Sequence, residues 1–312
     1  MRAFVFPGQG SQAVGMGREL AVAFPAAREL FEEVDDALAQ RLSRLIFEGP
    51  EADLTLTENA QPALMAVSLA VLRVLEAEGG LKLGQHAGFV AGHSLGEYSA
   101  LAASGCLAVA DTARLLRLRG QAMQAAVPVG EGAMAALLGA ELEQAREIAA
   151  AAAENEVCAV ANDNAPGQVV VSGHKAAVER AVELAAQRGI RKAVMLPVSA
   201  PFHCPLMQPA ADAMAEALAK VNFAPPAVPH VANVTAAPVY EPSRARELLV
   251  EQVTAMVRWR ESVLAMKEAG VDTMVEIGAG KVLSGLIKRI DRELASLSVL
   301  APAEVESFLK TL

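Results

Sequence analysis

A serine flanked by two glycines lies in the stretch Phe89–Ser99, which has the sequence F-V-A-G-H-S-L-G-E-Y-S. The apolar run Phe89–Ala91 predicts a short buried strand, and residues 97–104 are compatible with a helix. A G-x-S-x-G turn between strand and helix exposes its serine, since only small neighbours let the backbone fold so tightly. Ser94 would lie at a helix N-terminus, where free N–H groups favour developing negative charge. The pattern predicts a nucleophilic serine, with an ordinary helix N-cap as the alternative.

A serine nucleophile needs a base, and the chain has five histidines. His93 directly precedes Ser94, and on such a turn its ring points away from the nucleophile's partner. His203 lies between Pro201 and Pro205, in a stretch too irregular to be simple core. A lone histidine is more often structural than catalytic, so position alone leaves both roles of His203 open.

Arg119 lies on the apolar side of a predicted helix, Asp111–Ala126. The residues three and four positions away are all apolar: Leu115, Leu116, Ala122 and Met123. A buried guanidinium needs an anion, because an unpaired charge is costly to remove from water. The anion could be an internal carboxylate or a ligand carboxylate held by two parallel hydrogen bonds, unless the side chain snorkels to water. Spacing alone leaves these alternatives open.

Composition narrows the class of protein. The chain has 312 residues, is 53% hydrophobic and 20% charged, and has a net charge of -9. This balance argues against a nucleic-acid binder, which needs clustered Lys and Arg. Residues 1–6 contain no basic segment followed by an apolar stretch, and the longest apolar run, Ala63–Leu72, is too short for a bilayer. The three cysteines match neither a disulfide framework nor a zinc motif. We therefore predict a cytoplasmic protein with no membrane partner.

The elements that must position these residues can be followed from the N-terminus. Ala3–Phe6 predicts a first buried strand, and the Gly-rich loop 7–12 after it leaves backbone N–H groups free to face a ligand. Helical patterns cover residues 17–40 and 58–78. Thr57 is placed to cap the second helix, and two glycines follow its end.

The sequence pattern over residues 132–198 differs from that of the preceding chain and predicts six elements in the order β-α-β-β-α-β. The strands are Ala133–Leu138, Val157–Ala161, Gln168–Ser172 and Lys192–Leu196, and the helices are Glu141–Glu154 and Lys175–Arg188. A turn over Asn162–Gly167 separates the middle strands. This order is the ferredoxin-like split βαβ pattern. We predict an α/β fold in which a large domain of residues 1–131 and 198–312 holds an inserted small domain of residues 132–197.

Four motifs together resemble the malonyl-CoA:acyl-carrier-protein transacylase family of bacterial type II fatty-acid synthesis. They are F-P-G-Q-G-S-Q at 6–12, G-H-S-L-G-E-Y-S-A at 92–100, R-L-R-G-Q at 117–121 and P-F-H-C at 201–204. The likeness extends over essentially the whole chain. It implies an α/β-hydrolase-like large domain, a ferredoxin-like small domain and an active site in a gorge between them.

The resemblance implies a role for each matching residue. It makes Ser94 the nucleophile and His203 the general base and acid. The backbone N–H groups of Gln9 and Leu95 become the oxyanion hole. Gln252 presents a backbone carbonyl that orients His203 in place of an acidic third member.

Two further positions bear on the substrate. The resemblance makes Arg119 the clamp on the malonyl carboxylate. The chain has Phe202 where some relatives carry serine, and phenylalanine there is associated with malonyl over bulkier branched acyl groups.

The implied activity is ping-pong transfer of malonyl from malonyl-CoA to holo acyl carrier protein through a malonyl ester of Ser94. No cofactor is expected, because the CoA thioester is a substrate. Two alternatives stand beside it: a trans-acting acyltransferase of polyketide synthesis, and a serine hydrolase or thioesterase. A hydrolase would not need Arg119 on an apolar stripe and would normally show an acidic third member.

Overall fold

The computed structural model describes all 312 residues and contains two β-sheets. The strands are β1 Arg2–Phe6, β2 Phe89–Gly92, β3 Gly132–Leu138, β4 Cys158–Ala165, β5 Gln168–His174, β6 Lys192–Met195, β7 His230–Val231, β8 Pro238–Val239, β9 Thr273–Ile277 and β10 Ala295–Val299. The helices are α1 Arg18–Ala23, α2 Pro25–Leu38, α3 Leu42–Glu48, α4 Glu51–Thr55, α5 Thr57–Gly79, α6 Leu83–His86, α7 Gly96–Ala103, α8 Val109–Ala126, α9 Leu142–Ala153, α10 Lys175–Gln187, α11 Gln208–Leu218, α12 Pro242–Gln252, α13 Trp259–Glu268, α14 Val282–Ile290 and α15 Pro302–Leu309.

The larger sheet has the strand order β10-β9-β1-β2-β7-β8, and only β8 runs antiparallel to its neighbour. The strand β1 is central and pairs with β2 on one side and β9 on the other. Its residues from Ala3 to Phe6 are fully buried, as expected for a parallel strand covered on both faces. The predicted first strand is therefore confirmed. The carboxyl ends of β1 and β2 lie side by side, which places the loop at 7–12 next to the serine turn.

The helix α5 forms the centre of the larger core and packs against α2, α7 and α8. It is long and apolar enough to span a bilayer, but 83% of its most apolar 18-residue window is buried inside the protein. It ends at Gly79, and Gly80 adopts the left-handed conformation with φ +62°, so the predicted end is confirmed. The predicted cap was wrong. Leu56 is the N-cap, and the Thr57 hydroxyl donates instead to Oε1 of Gln9.

The helical pattern over 17–40 forms two helices rather than one. Phe24 is extended, with φ −126° and ψ 122°, and separates α1 from α2. Pro25 begins the second helix, where its missing N–H costs no hydrogen bond. Pro25 cannot continue a preceding helix, which explains the break. The predicted helix around Arg119 is confirmed as α8.

The smaller sheet has the order β4-β5-β3-β6 and is antiparallel throughout. Both of its helices, α9 and α10, pack against each other and against the sheet around a core of their own. Strand order and element order are those of a ferredoxin-like unit, so the predicted fold class, mixed α/β with a large and a small sheet, is confirmed. The domain boundaries at 131/132 and 197/198 stay a prediction.

The turn predicted over Asn162–Gly167 was wrong for most of its length. Residues up to Ala165 continue β4, with register shifts after Val160 and after Asp163. Two of the three polar side chains, those of Asp163 and Asn164, have a side-chain partner. The carboxylate of Asp163 pairs with Nε of Arg260 at 3.0 Å, whereas Asn162 and Asn164 line a cavity on the other side.

Candidate active site

The turn between β2 and α7 has no room for a side chain at its two glycines. A Cβ on Gly92 would lie 1.9 Å from the backbone of Gly96, and one on Gly96 would lie 2.3 Å from the carbonyl oxygen of Phe6. Between them Ser94 adopts φ +53°, a conformation that costs a non-glycine residue about 1–3 kcal/mol. The predicted strand–serine–helix turn is thus present, and it is strained.

Side chains from distant parts of the chain hold this turn in place. The Ser94 N–H donates to Oδ1 of Asn233 at 2.8 Å, and Nδ2 of Asn233 donates to the Gly92 carbonyl at 2.7 Å. The Gln252 amide donates to the Ser94 carbonyl at 2.9 Å. Three hydrogen bonds therefore compensate the strain at Ser94. Sequence reasoning missed Asn233, because nothing in its local sequence marks it.

His203 lies against the serine hydroxyl. Its Nε2 is 2.7 Å from Oγ of Ser94, and its Nδ1 is 2.9 Å from the carbonyl oxygen of Gln252. A carbonyl can only accept, so Nδ1 carries the proton and the neutral ring accepts from Ser94 through Nε2. No carboxylate bonds to His203. The Gln252 carbonyl thus lies where a hydrolase would normally have an acidic third member.

Burial, with a smaller contribution from the nearby Arg119 charge, lowers the pKa of His203 to about 3. The ring is only 4% exposed, and protonation would place a second positive charge beside the guanidinium. His203 is therefore neutral at neutral pH and able to accept a proton.

We expect kcat/KM to show no inflection near pH 6.5, the ordinary pKa of histidine. Because the folded-state pKa is depressed, the base stays neutral as the pH falls from 7.5 to about 5. The measurement is kcat/KM against pH with an acyl thioester of N-acetylcysteamine, which has no titrating phosphate. A rate that falls tenfold per pH unit below 6.5 would show that His203 titrates normally.

Arg119 is buried at the same place, with 1% exposure. Its Nη1 donates to Oε1 of Gln61 at 2.8 Å, and its Nη2 donates to Oε1 of Gln252 at 2.8 Å and to Oγ of Ser94 at 3.2 Å. Its Nε has no partner. Burial lowers the pKa of Arg119, although neighbouring Tyr98 and Glu97 oppose the shift. The guanidinium bonds only to neutral groups, so no internal carboxylate is its direct partner.

The nearest acidic group is reached through the Gln252 side chain. Nε2 of Gln252 donates to Oε2 of Glu97 at 2.8 Å, while Oε1 accepts from Arg119. Glu97 is fully buried on α7, and its Oε1 lies 3.2 Å from Nε2 of the buried His230. The sequence predicted a role for the backbone of Gln252 alone. A charged residue within the apolar helix α7 was the signal that could have indicated Glu97.

Gln9 and Leu95 each have a backbone N–H that donates to no acceptor within the protein. Both residues line the cavity that contains Ser94. Gln9 follows Gly8, where a Cβ would lie 2.7 Å from the carbonyl oxygen of His93, so the loop can approach the serine turn only with glycine there. Two free donors beside a serine are what an oxyanion hole requires.

The cavity has a volume of about 400 Å³ and lies between the two sheets. Ser94, Arg119 and His203 line it from the larger domain, and Phe202 also lies in its wall. The smaller sheet contributes four lining residues: Met134, Asn162, Asn164 and Val170. The ring of His93 turns to this sheet and bonds to Oδ1 of Asn164 at 2.8 Å. His93 is therefore engaged away from Ser94, as predicted.

A serine, a neutral imidazole and two free N–H donors line one cavity, and this is the set of groups that enzymes with a nucleophilic serine use. A family model described as an acyl transferase domain matches residues 3–304. The chain is 46% identical over 311 residues to the malonyl CoA-acyl carrier protein transacylase of Bacillus subtilis strain 168. The matched region covers 99% of this chain and 96% of the relative. This chain is an acyltransferase and belongs to the malonyl CoA-acyl carrier protein transacylase family.

Solved structures agree with this assignment. The acyl-carrier-protein S-malonyltransferase of Bartonella henselae superposes with a TM-score of 0.97 at 57% identity, over 99% of this chain and 98% of that one. A malonyl-transacylase in complex with its type II polyketide-synthase acyl-carrier protein superposes with a TM-score of 0.96 at 42% identity, over 100% and 99% of the two chains.

Proposed function

We propose that this protein transfers a malonyl group from malonyl-CoA to the phosphopantetheine thiol of holo acyl carrier protein in bacterial type II fatty-acid synthesis. One observation carries the proposal. The Arg119 guanidinium, which has no carboxylate partner, lies 3.2 Å from the same Ser94 oxygen that bonds to His203. A carboxylate on the acyl group can therefore be held while its thioester carbonyl lies at the nucleophile.

In the first half-reaction the Ser94 hydroxyl attacks the thioester carbonyl of malonyl-CoA, and Nε2 of His203 takes the proton. The backbone N–H groups of Gln9 and Leu95 stabilise the oxyanion. The Gln252 carbonyl orients the imidazole and stabilises its charged form. His203 then gives the proton to the departing CoA thiolate, which leaves a malonyl ester on Ser94.

In the second half-reaction the thiol of the carrier protein enters the emptied cavity. His203 takes its proton, the thiolate attacks the ester carbonyl, and the proton returns to Ser94 as the new thioester leaves. No cofactor takes part, since both acyl carriers are substrates. The transacylase names of the relatives and the carrier-protein complex of one solved structure support this partner. We propose the cytoplasm as the location.

The proposal is tested by intact-mass measurement of the protein after mixing with malonyl-CoA. We expect a mass increase of one malonyl group, located on Ser94 by peptide mapping, and its loss when holo acyl carrier protein is added. Apo carrier protein, which lacks the thiol, is the control and should leave the adduct in place. A protein that never gains the adduct, or that releases it to water as fast as to carrier protein, would contradict the proposal.

A further inference from the structure

The hydroxyl of Thr57 lies between two residues of the cavity. It donates to Oε1 of Gln9 at 2.9 Å, and it accepts from Nε2 of Gln61 at 2.9 Å. Oε1 of Gln61 in turn accepts from Nη1 of Arg119 at 2.8 Å. A continuous run of hydrogen bonds therefore joins the guanidinium to the Gly-rich loop that bears Gln9.

The chemistry of the groups fixes the direction of every bond in this run. A guanidinium can only donate, so the amide of Gln61 must turn its oxygen to Arg119 and its NH₂ to Thr57. The hydroxyl of Thr57 has a single proton, which is then available to Gln9. Thr57 and Gln61 are each 1% exposed, so the bond between them is shielded from bulk water. Loss of the Thr57 hydroxyl would remove an acceptor from Nε2 of Gln61 and the donor to the Gln9 side chain.

The loop is held on either side of Gln9, because Gly8 lies close to the His93 carbonyl and the Gly10 N–H donates to Oε1 of Gln12 at 2.7 Å. Gln9 is exposed and lies between Gly8 and Gly10, and Gly10 adopts φ +103° with open space where a side chain would be. The bond from Thr57 is the one hydrogen bond made by the Gln9 side chain. Glycines allow the loop many conformations, so this bond limits where the Gln9 N–H can lie.

We propose that Thr57 is a positioning residue, which fixes the oxyanion N–H of Gln9 and links it to the arginine that holds the substrate carboxylate. The inference rests on the proposed function, because it assigns Thr57 to the same acylation step. Thr57 itself does not line the cavity, and it acts through Gln9 and Gln61.

The test is the acylation of Ser94 by malonyl-CoA in Thr57→Val, followed by rapid quench and intact mass. Valine has nearly the shape of threonine but cannot donate or accept. We expect kcat to fall about 10- to 100-fold, less than for complete removal of an oxyanion donor, with KM changed less than about threefold. Thr57→Ser keeps the hydroxyl and should retain kcat within about threefold.

Thr112→Val is the matched control. Thr112 is a fully buried threonine in α8, away from the cavity, and its hydroxyl donates to the Ala108 carbonyl at 2.8 Å. We expect this variant to lose the thermal stability that one hydrogen bond contributes, while its kcat stays within about twofold of wild type. If Thr57→Val does not accumulate as folded protein, Thr57→Ala replaces it in the same comparison.

The outcomes separate this inference from the proposed function. Wild-type kcat in the Thr57 variant, an equal loss in Thr57→Ser, or an equal loss in Thr112→Val would each overturn the role of Thr57 while the malonyl adduct of the wild type still stood. Absence of that adduct in the wild-type protein would instead refute the proposed function.

Discussion

Ser94→Ala is expected to abolish formation of the malonyl adduct and to reduce malonyl transfer by about 10⁴-fold or more, as removal of an enzyme nucleophile does. The Ser94 hydroxyl is the one hydroxyl that is hydrogen-bonded to Nε2 of His203. The fold should survive, because the bonds that hold the turn go to the Ser94 backbone N–H and carbonyl. The measurement is intact mass after mixing with malonyl-CoA.

Ser99→Ala provides the matched control for that variant. Ser99 belongs to the following helix and is 1% exposed, but its hydroxyl has no hydrogen-bond partner. Its removal should leave the adduct and the transfer rate close to wild type. A Ser94→Ala protein that is still acylated at the wild-type rate would show that the nucleophile lies elsewhere.

Arg119→Ala is expected to remove the preference for malonyl-CoA over acetyl-CoA. Under the proposed function, a malonyl carboxylate would pair with the buried Arg119 guanidinium, whereas an acetyl methyl group would leave it unpaired. Loss of one partner of such a pair costs about 2–5 kcal/mol, which corresponds to a change of about 30- to 5,000-fold. The measurement is the ratio of kcat/KM for the two thioesters. The acceptors Gln61 and Gln252 lose a donor with either substrate, so that loss cancels in the ratio.

Two further substitutions sharpen the test of Arg119. Arg119→Lys should recover only part of the preference, since an ammonium cannot form two parallel hydrogen bonds with a carboxylate. Arg117→Ala is the control. Arg117 lies on the same helix but bonds to Asn59 and Gln40 outside the cavity, so the ratio should stay unchanged. An Arg119→Ala protein that loses activity equally with both thioesters would mean that Arg119 is structural.

Much of this site could be predicted because its signals are local. The two glycines around Ser94 have positions that a tight turn requires, and apolar neighbours at helical spacing placed Arg119 in the interior. Helical spacing also identified the buried arginine of the R-L-R-G-Q motif. Arg119 is buried, whereas Arg117 is only half-buried. The order of elements was enough for the ferredoxin-like unit, because its strands and helices are contiguous in the chain.

The remaining features depend on contacts between distant residues. Asn233 reaches the Ser94 turn across 139 positions, and Thr57 reaches Gln9 across 48. A threonine before a helical pattern favours an N-cap, and only the packed structure shows its hydroxyl turned to the cavity instead. The polar residues after Ala161 predicted a turn, because their partners in the interior cannot be seen from local sequence.

The strand order of the larger sheet has a consequence for how the protein is made. The smaller sheet uses only residues 132–195, so the nascent chain holds all of its strands well before synthesis ends. The central strand β1, by contrast, must wait for β9 at Thr273–Ile277 before its second edge is paired. Pairing of strands so far apart in sequence is slow, because the chain entropy of closing the intervening loop is lost before the contacts between the strands can form. His203 and Asn233 also follow Ser94 by more than a hundred residues, so the residues that complete the serine site are made only after all the strands of the smaller sheet.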